Sequence, residues 1–195
     1  MAKRAFDLLL SALGLLLLAP VLLLIALWVK LDSPGPVFFR QERVGRFGRP
    51  FFIHKFRTMR VDNAGLQITV GVDPRITRAG RVLRAAKLDE LPQLWDVLRG
   101  AMSLVGPRPE VPRYVALYPP KLREIVLSVR PGITDPASLS FRNESELLAA
   151  AADPEREYVE VVMPTKLRLA AAYVRRATLR SDLRVILATL GALRP

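Results

Sequence analysis

Apolar positions run almost unbroken from Leu8 to Val29, with Lys3 and Arg4 before them and Lys30 after. At 1.5 Å per residue, a helix of that length reaches roughly 33 Å, enough to cross a bilayer. A single transmembrane anchor is one reading of this run. Pro20 supports another, because near the middle of the run it removes a backbone donor and bends the helix. The cations at both ends do not select one orientation either. A helix that enters, bends at Ala19-Pro20 and leaves by the same face satisfies both facts. A re-entrant hairpin over residues 1–30, broken at Pro20, is therefore the preferred expectation. A cleaved signal peptide fits less well, since the run is long and no small-x-small site follows it.

After Lys30 the pattern breaks into short pieces. No repeat or low-complexity linker divides residues 31–195, which are expected to form one domain. Val37–Val44 and Pro50–Thr58, rich in Val, Phe and Ile, read as strands around a Gly45–Gly48 turn. Val61–Asp73 reads as a polar connection. Helices are expected over Ile76–Ala86 and from Asp89 to Leu98, the second stopped by Gly100. Successive prolines make Pro107–Pro112 extended. Lys121–Val129, Glu144–Ala151 and Pro154–Val162 read as further short helices. Lys166–Leu190 alternates Leu, Val and Ala with Arg at helical spacing, and its break near Thr178–Asp182 separates two amphipathic helices that pack on the domain or lie on a membrane surface. The predicted fold class is α+β, mostly helical, with a membrane helix, one β-hairpin and many short helices.

Composition narrows the chemistry. The 195 residues carry 30 Lys and Arg against 18 Asp and Glu, a net charge of +12, so anionic partners are expected: nucleic acid, acidic lipid or a phosphorylated substrate. There is no Cys, which excludes disulfides and thiolate catalysis. His54 is the single histidine, so a histidine-rich metal site is impossible and any catalysis is expected to rest mainly on carboxylates, Lys and Arg.

Arg75, Arg78, Arg81, Arg84 and Lys87 recur every third residue, but that step drifts around an α-helix, so only neighbours such as Arg81 and Arg84 share a face. "KLDELPQLWDVLRG" (residues 87–100) is more informative. Asp89 suits an N-cap and Pro92 a first turn, so a capped helix with an acidic start is one reading. A carboxylate nucleophile or metal ligand among phosphate-attracting cations is the other. In "SLVGPRPEVP", Pro107 and Pro109 restrict the backbone around Arg108, so little entropy is lost when it holds a fixed anion. Lys55 and Arg57 fall on one face of the second strand, with Phe52, His54 and Phe56 on the other. His54 reads as a packed strand histidine.

The blocks "GPVFFRQERVG", "KFRTM", "DPRITRAG", "LDELPQLWDVLRGAMSLVGPRPE" and "RPGIT", in this order, resemble the bacterial sugar transferases that load a sugar phosphate onto a polyprenyl phosphate, the monotopic phosphoglycosyl transferases. The resemblance runs from Arg4 to about Leu190 and matches the minimal catalytic form of the family. It implies a re-entrant membrane helix, an active site on the cytoplasmic face of the bacterial inner membrane, Mg²⁺, a UDP-sugar donor and undecaprenyl phosphate as acceptor. It places the family's Asp-Glu dyad on Asp89 and Glu90. Asp89 is then the nucleophile that displaces UMP to form an aspartyl-phosphosugar intermediate, and a metal contact. Glu90 assists Mg²⁺ or proton management. Lys55, Arg84, Arg108 and Arg142 are implied to bind substrate phosphate.

Two departures stand out. Ala19 replaces the serine that usually precedes the helix-breaking proline. "DPASLSFRNE" replaces a Gly-Trp-Ala-Gln stretch after "RPGIT", which leaves the sugar and nucleotide contacts open. The +12 charge suits the implied reaction, because a carboxylate approaching a pyrophosphate needs cations to offset repulsion. Cations just after the membrane segment suit a site at the headgroups, with some serving phospholipid. Two other classes remain open at this level: a nucleic-acid-binding domain on a membrane anchor, although no nucleic-acid motif is present, and a noncatalytic scaffold using the amphipathic tail. No nucleic-acid partner is expected, and the exposed amphipathic surface leaves room for a homodimer.

Overall fold

The protein is described by a computed structural model covering residues 1–61, 71 and 73–192. Most of the expected Val61–Asp73 connection lies outside the described residues. The chain begins with α1 (Ala2–Asp32), a continuous helical span with Pro20 inside it. It is the one helix among the described residues long and apolar enough to cross a membrane. Its buried residues sit toward its ends: Asp7 and Ser11 near the start, Ile25 and Val29 near the finish. Between them Leu13, Leu16, Leu17, Val21, Leu23 and Leu24 are exposed.

Both ends of α1 are fastened to the remaining domain. At the start, Lys3 Nζ donates to the Val105 carbonyl (3.0 Å) and Asp182 Oδ2 (2.6 Å), and Arg4 donates to the Val97 (2.7 Å) and Leu98 (3.0 Å) carbonyls. Asp7 accepts from Ser103 Oγ (2.8 Å) and the Leu104 N–H (3.2 Å). At the finish, Asp32 Oδ2 accepts the Ala79 N–H at 3.0 Å. The Arg57 guanidinium, only 3% exposed, donates to the Val29, Ser33 and Pro34 carbonyls, which satisfies acceptors that the end of a helix leaves open.

The hairpin forms as its β-branched and aromatic residues predict. Antiparallel β1 (Phe38–Val44) and β2 (Pro50–Phe56) pair from Phe38 with Phe56 to Val44 with Pro50. A 3₁₀ turn, Arg46–Gly48, joins them, with Phe47 at φ 59°. α2 (Arg78–Ala85) follows, capped by Thr77 Oγ1, which accepts the Gly80 N–H. A Cβ at Gly80 would stand 2.1 Å from the Thr58 carbonyl oxygen, so only glycine lets α2 lie this close to the end of the hairpin. Phe56, Leu83, Ile25 and Val29 form one buried cluster with Leu88 against it. Each such side chain contributes about 1.5–3 kcal/mol of burial, so α1, hairpin and α2 dock as a unit.

The stretch expected as a helix from Asp89 to Leu98 is divided. Leu88–Glu90 is a 3₁₀ turn and α3 (Gln93–Leu98) begins only after Pro92. Asp89 therefore is not the N-cap of α3. Two strands too short to show a period, β3 (Ser103–Val105) and later β4 (Gly132–Thr134), pair in parallel. Between them run α4 (Pro112–Val115), headed by a proline read above as part of the extended segment, and α5 (Pro120–Leu127). α6 (Pro136–Ser140), α7 (Glu144–Ala149) and α8 (Pro154–Glu157) follow; α8 continues through a π turn, Tyr158–Val162, into α9 (Met163–Arg176). Tyr114, Val126, Leu148, Tyr158, Val162 and Leu167 are the centre of this helical lobe. α10 (Leu179–Ala192) buries Asp182 and Val185 and exposes Leu179, Leu183, Leu187 and Leu190.

Candidate active site

Three local features bring the dyad and its cations together. Lys87, at φ 55°, is a left-handed residue that turns the end of α2 into the 3₁₀ turn, a conformation costly for a residue with a Cβ and often found at functional sites. Leu88 anchors one side of that turn in the α1–hairpin cluster. Gly106 and Gly132 pass so closely that a Cβ at Gly132 would stand 2.1 Å from Gly106 N. The Gly132 N–H donates to the Pro107 carbonyl at 3.0 Å, which holds the start of "GPRP" against β4.

Glu90 is the hub. Its Oε1 accepts Lys55 Nζ at 2.7 Å and the Arg108 Nη2–H, and its Oε2 accepts Arg108 Nη1–H at 3.0 Å. Burial pushes the Glu90 carboxyl up, but the Arg108 and Lys55 charges and hydrogen bonds outweigh it and hold the group well below its ordinary value. Glu90 is thus an anchor for two cations. Burial lowers Lys55 and Glu90 only partly restores it. The Glu90 charge raises Arg108.

Asp89 differs from its neighbour. It is 7% exposed, and its Oδ1 is buried with no hydrogen-bond partner. Burial first, then the Glu90 charge, raise its carboxyl above the ordinary value, while Lys55, Arg84 and Arg108 pull it back. An open lone pair among cations is what a nucleophile toward phosphorus requires. Among the described residues, no three His, Asp or Glu side chains converge on a ready-made metal cage. Mg²⁺ commonly takes one or two carboxylates and completes its shell with substrate phosphate and water, and the open oxygen of Asp89 fits one such place.

Five of the six expected site residues therefore gather: Asp89, Glu90, Lys55 and Arg108 by contact or charge, and Arg84 through its field on Asp89. Arg142 is exposed in the turn between α6 and α7, and no described contact ties it to the dyad. Arg81, expected to share a face with Arg84, is exposed. Arg57, the strand-mate of Lys55, clasps the end of α1. Sequence reasoning missed Asp96, which is 1% exposed and accepts both the His54 N–H (2.9 Å) and His54 Nδ1 (2.6 Å). It also missed Gln93, 2% exposed. The spacing of Asp89, Gln93 and Asp96 at i, i+4 and i+7 was the available signal, since it puts three polar residues on one helical stripe.

The sequence profile of bacterial sugar transferases matches residues 1–194. The chain belongs to that family. Most of its named relatives are undecaprenyl-phosphate sugar phosphotransferases. It is 41% identical to the UDP-glucose:undecaprenyl-phosphate glucose-1-phosphate transferase of Caulobacter vibrioides, over 98% of this chain and 69% of that protein. A protein of the same name from Escherichia coli is 40% identical over 96% of this chain and 39% of its own length. The UDP-N-acetylgalactosamine-undecaprenyl-phosphate N-acetylgalactosaminephosphotransferase of Aeromonas hydrophila is 40% identical over 81% of this chain and 37% of that protein. This member of the family thus spans about two thirds of one relative and under half of the other two.

Proposed function

We propose that this bacterial sugar transferase moves a sugar 1-phosphate from a UDP-sugar to undecaprenyl phosphate through a covalent intermediate on Asp89, with release of UMP. The observation that carries the reading is the contrast within the dyad: Glu90 is fully engaged by Lys55 and Arg108, while Asp89 keeps a buried, unpartnered oxygen beside them. In the first displacement an Asp89 oxygen bonds to the sugar-linked phosphorus, and the bond to UMP breaks with its electron pair on UMP. In the second, an oxygen of the polyprenyl phosphate bonds to that phosphorus and Asp89 leaves as a carboxylate. Two displacements let a soluble donor and a lipid acceptor use one site in turn. Lys55, Arg84 and Arg108 offset the repulsion between carboxylate and phosphate, and Arg142 is a candidate contact for the donor once bound. Mg²⁺, held by Asp89 and the donor's phosphates, would neutralise charge on the leaving group.

The membrane reading rests on α1. Its middle exposes Leu16, Leu17, Leu23 and Leu24, while Lys3, Arg4 and Asp7 at one end and Asp32 at the other bond to the same domain. A helix fastened at both ends to one domain favours entry and exit through one face of the inner membrane, the cytoplasmic one, with Pro20 as the bend. The leucine face of α10 would then lie on the phospholipid surface.

The test is nucleotide release by the purified protein with Mg²⁺, undecaprenyl phosphate and a panel of UDP-sugars that includes UDP-glucose and UDP-N-acetylgalactosamine. UMP released by the native protein and not by Asp89→Asn is the expected result. UDP in place of UMP would mean direct glycosyl transfer and sink the mechanism.

A further inference from the structure

Gln93 is buried to 2% exposure, yet its Nε2 has no hydrogen-bond partner. A buried donor left unmade costs about 1–3 kcal/mol, so its retention calls for an explanation. The acceptor with the matching defect is Asp89 Oδ1, four residues earlier. Leu91 and Pro92 between them are both right-handed helical, so the two residues lie on one continuous coil.

The coil fixes their relation. At the α-helical step Gln93 stands about 40° around the axis from Asp89; at the 3₁₀ step it eclipses Glu90. The Leu91, Leu94 and Trp95 N–H groups each donate three residues back, to Leu88, Leu91 and Pro92, so the coil is tight here and Gln93 falls between the two acids. Cα–Cβ bonds tilt toward a helix's N-terminal end, so the Gln93 side chain starts out toward the turn that carries the dyad. Lys55 and Arg108 are already engaged by Glu90, and Gln93 adds a neutral donor that no protein group has taken.

Resting on the transferase reading above, we propose that Gln93 is a further catalytic residue, whose Nε2 donates a hydrogen bond to a non-bridging oxygen of the phosphoryl group that Asp89 attacks. As the Asp89 oxygen bonds to phosphorus and the electron pair of the breaking bond passes to UMP, the amide steadies the phosphoryl oxygens and transfers no proton. The same donor serves the second displacement, because the phosphorus remains attached beside it until Asp89 leaves.

The experiment uses the full chain in nanodiscs and compares native protein, Gln93→Met, Gln93→Glu and Asp89→Asn. Gln93→Met keeps the length of the side chain and removes the donor. Its UMP release should fall about 10²-fold, the usual effect of losing one transition-state donor, with the donor KM little changed. Its Tm should equal or exceed that of the native protein, because an unsatisfied buried donor has gone. Gln93→Glu should lose at least as much rate and should restore no UMP release. A Gln93→Met rate within about threefold of native overturns the proposal, as does a loss of rate that tracks a loss of Tm, which is the mark of a packing role. If Gln93→Met does not fold, Gln93→Glu is judged by the same criteria. UMP release that survives in Asp89→Asn overturns the transferase mechanism itself, an outcome distinct from failure at Gln93 alone.

Discussion

Asp89 lies in the 3₁₀ turn and Asp96 in α3, and both are almost fully buried. Both oxygens of Asp96 are taken by the backbone and ring of His54, whereas Asp89 leaves Oδ1 without a partner. Asp7 and Asp182 resemble Asp96: Ser103 and Leu104 satisfy the first, and Lys3 and Tyr173 bond to the second. The difference teaches how this protein separates structure from chemistry. A carboxylate with both oxygens hydrogen-bonded stabilises the fold and is a poor nucleophile. One kept open among cations stores a local cost that a substrate can relieve.

The largest test of that contrast is Asp89→Asn. UMP release should fall on the order of 10⁴-fold or more, as for loss of other nucleophiles, and thermal unfolding should show Tm unchanged or raised. A parallel loss of Tm would place Asp89 with the structural aspartates. Asp96→Ala should give the converse. It strands the half-buried His54 N–H and ring, so denaturant unfolding should register a loss of about 1–3 kcal/mol, with the donor KM retained in the fraction that folds.

A subtler test concerns pH. In the proposed mechanism UMP release requires ionised Asp89, and burial and the Glu90 charge raise that carboxyl, so the acid limb of the rate should lie above the ordinary aspartate range. Glu90→Gln removes one upward push and leaves Lys55 and Arg108 uncompensated, and both changes lower the carboxyl. The acid limb should therefore move to lower pH even as the maximal rate falls; a pH–rate profile that stays in place would refute the coupling. The smallest effect is expected at Lys3→Met. Lys3 is 40% exposed, so losing its pair with buried Asp182 should cost under about 1 kcal/mol in Tm-derived stability.

Much of this arrangement was legible in the chain. The Gly-containing turn between two aromatic-rich runs announced the hairpin, and its register brings Lys55 to the site. The family blocks named Asp89, Glu90, Lys55, Arg84 and Arg108 because each motif carries its own residues. The end of the run at Asp89 was less legible. Its N-cap pattern agreed with a helix start, but Leu88 packing against α1 and the left-handed Lys87 instead set a separate 3₁₀ turn. The β3–β4 pair was hidden because strands of three residues have no measurable period, and their partner lies far along the chain.

The sequence alone determined the apolar length of α1, the basic charge, the lack of cysteine and the adjacency of Asp89 and Glu90, since each is a property of residues or of near neighbours. Only the tertiary structure decided which carboxylates are satisfied, that Arg57 closes α1 while Lys55 meets Glu90, and that Gln93 sits buried without a partner. Those outcomes depend on groups brought together from distant parts of the chain, whose hydrogen-bond balance exists only once the elements are packed.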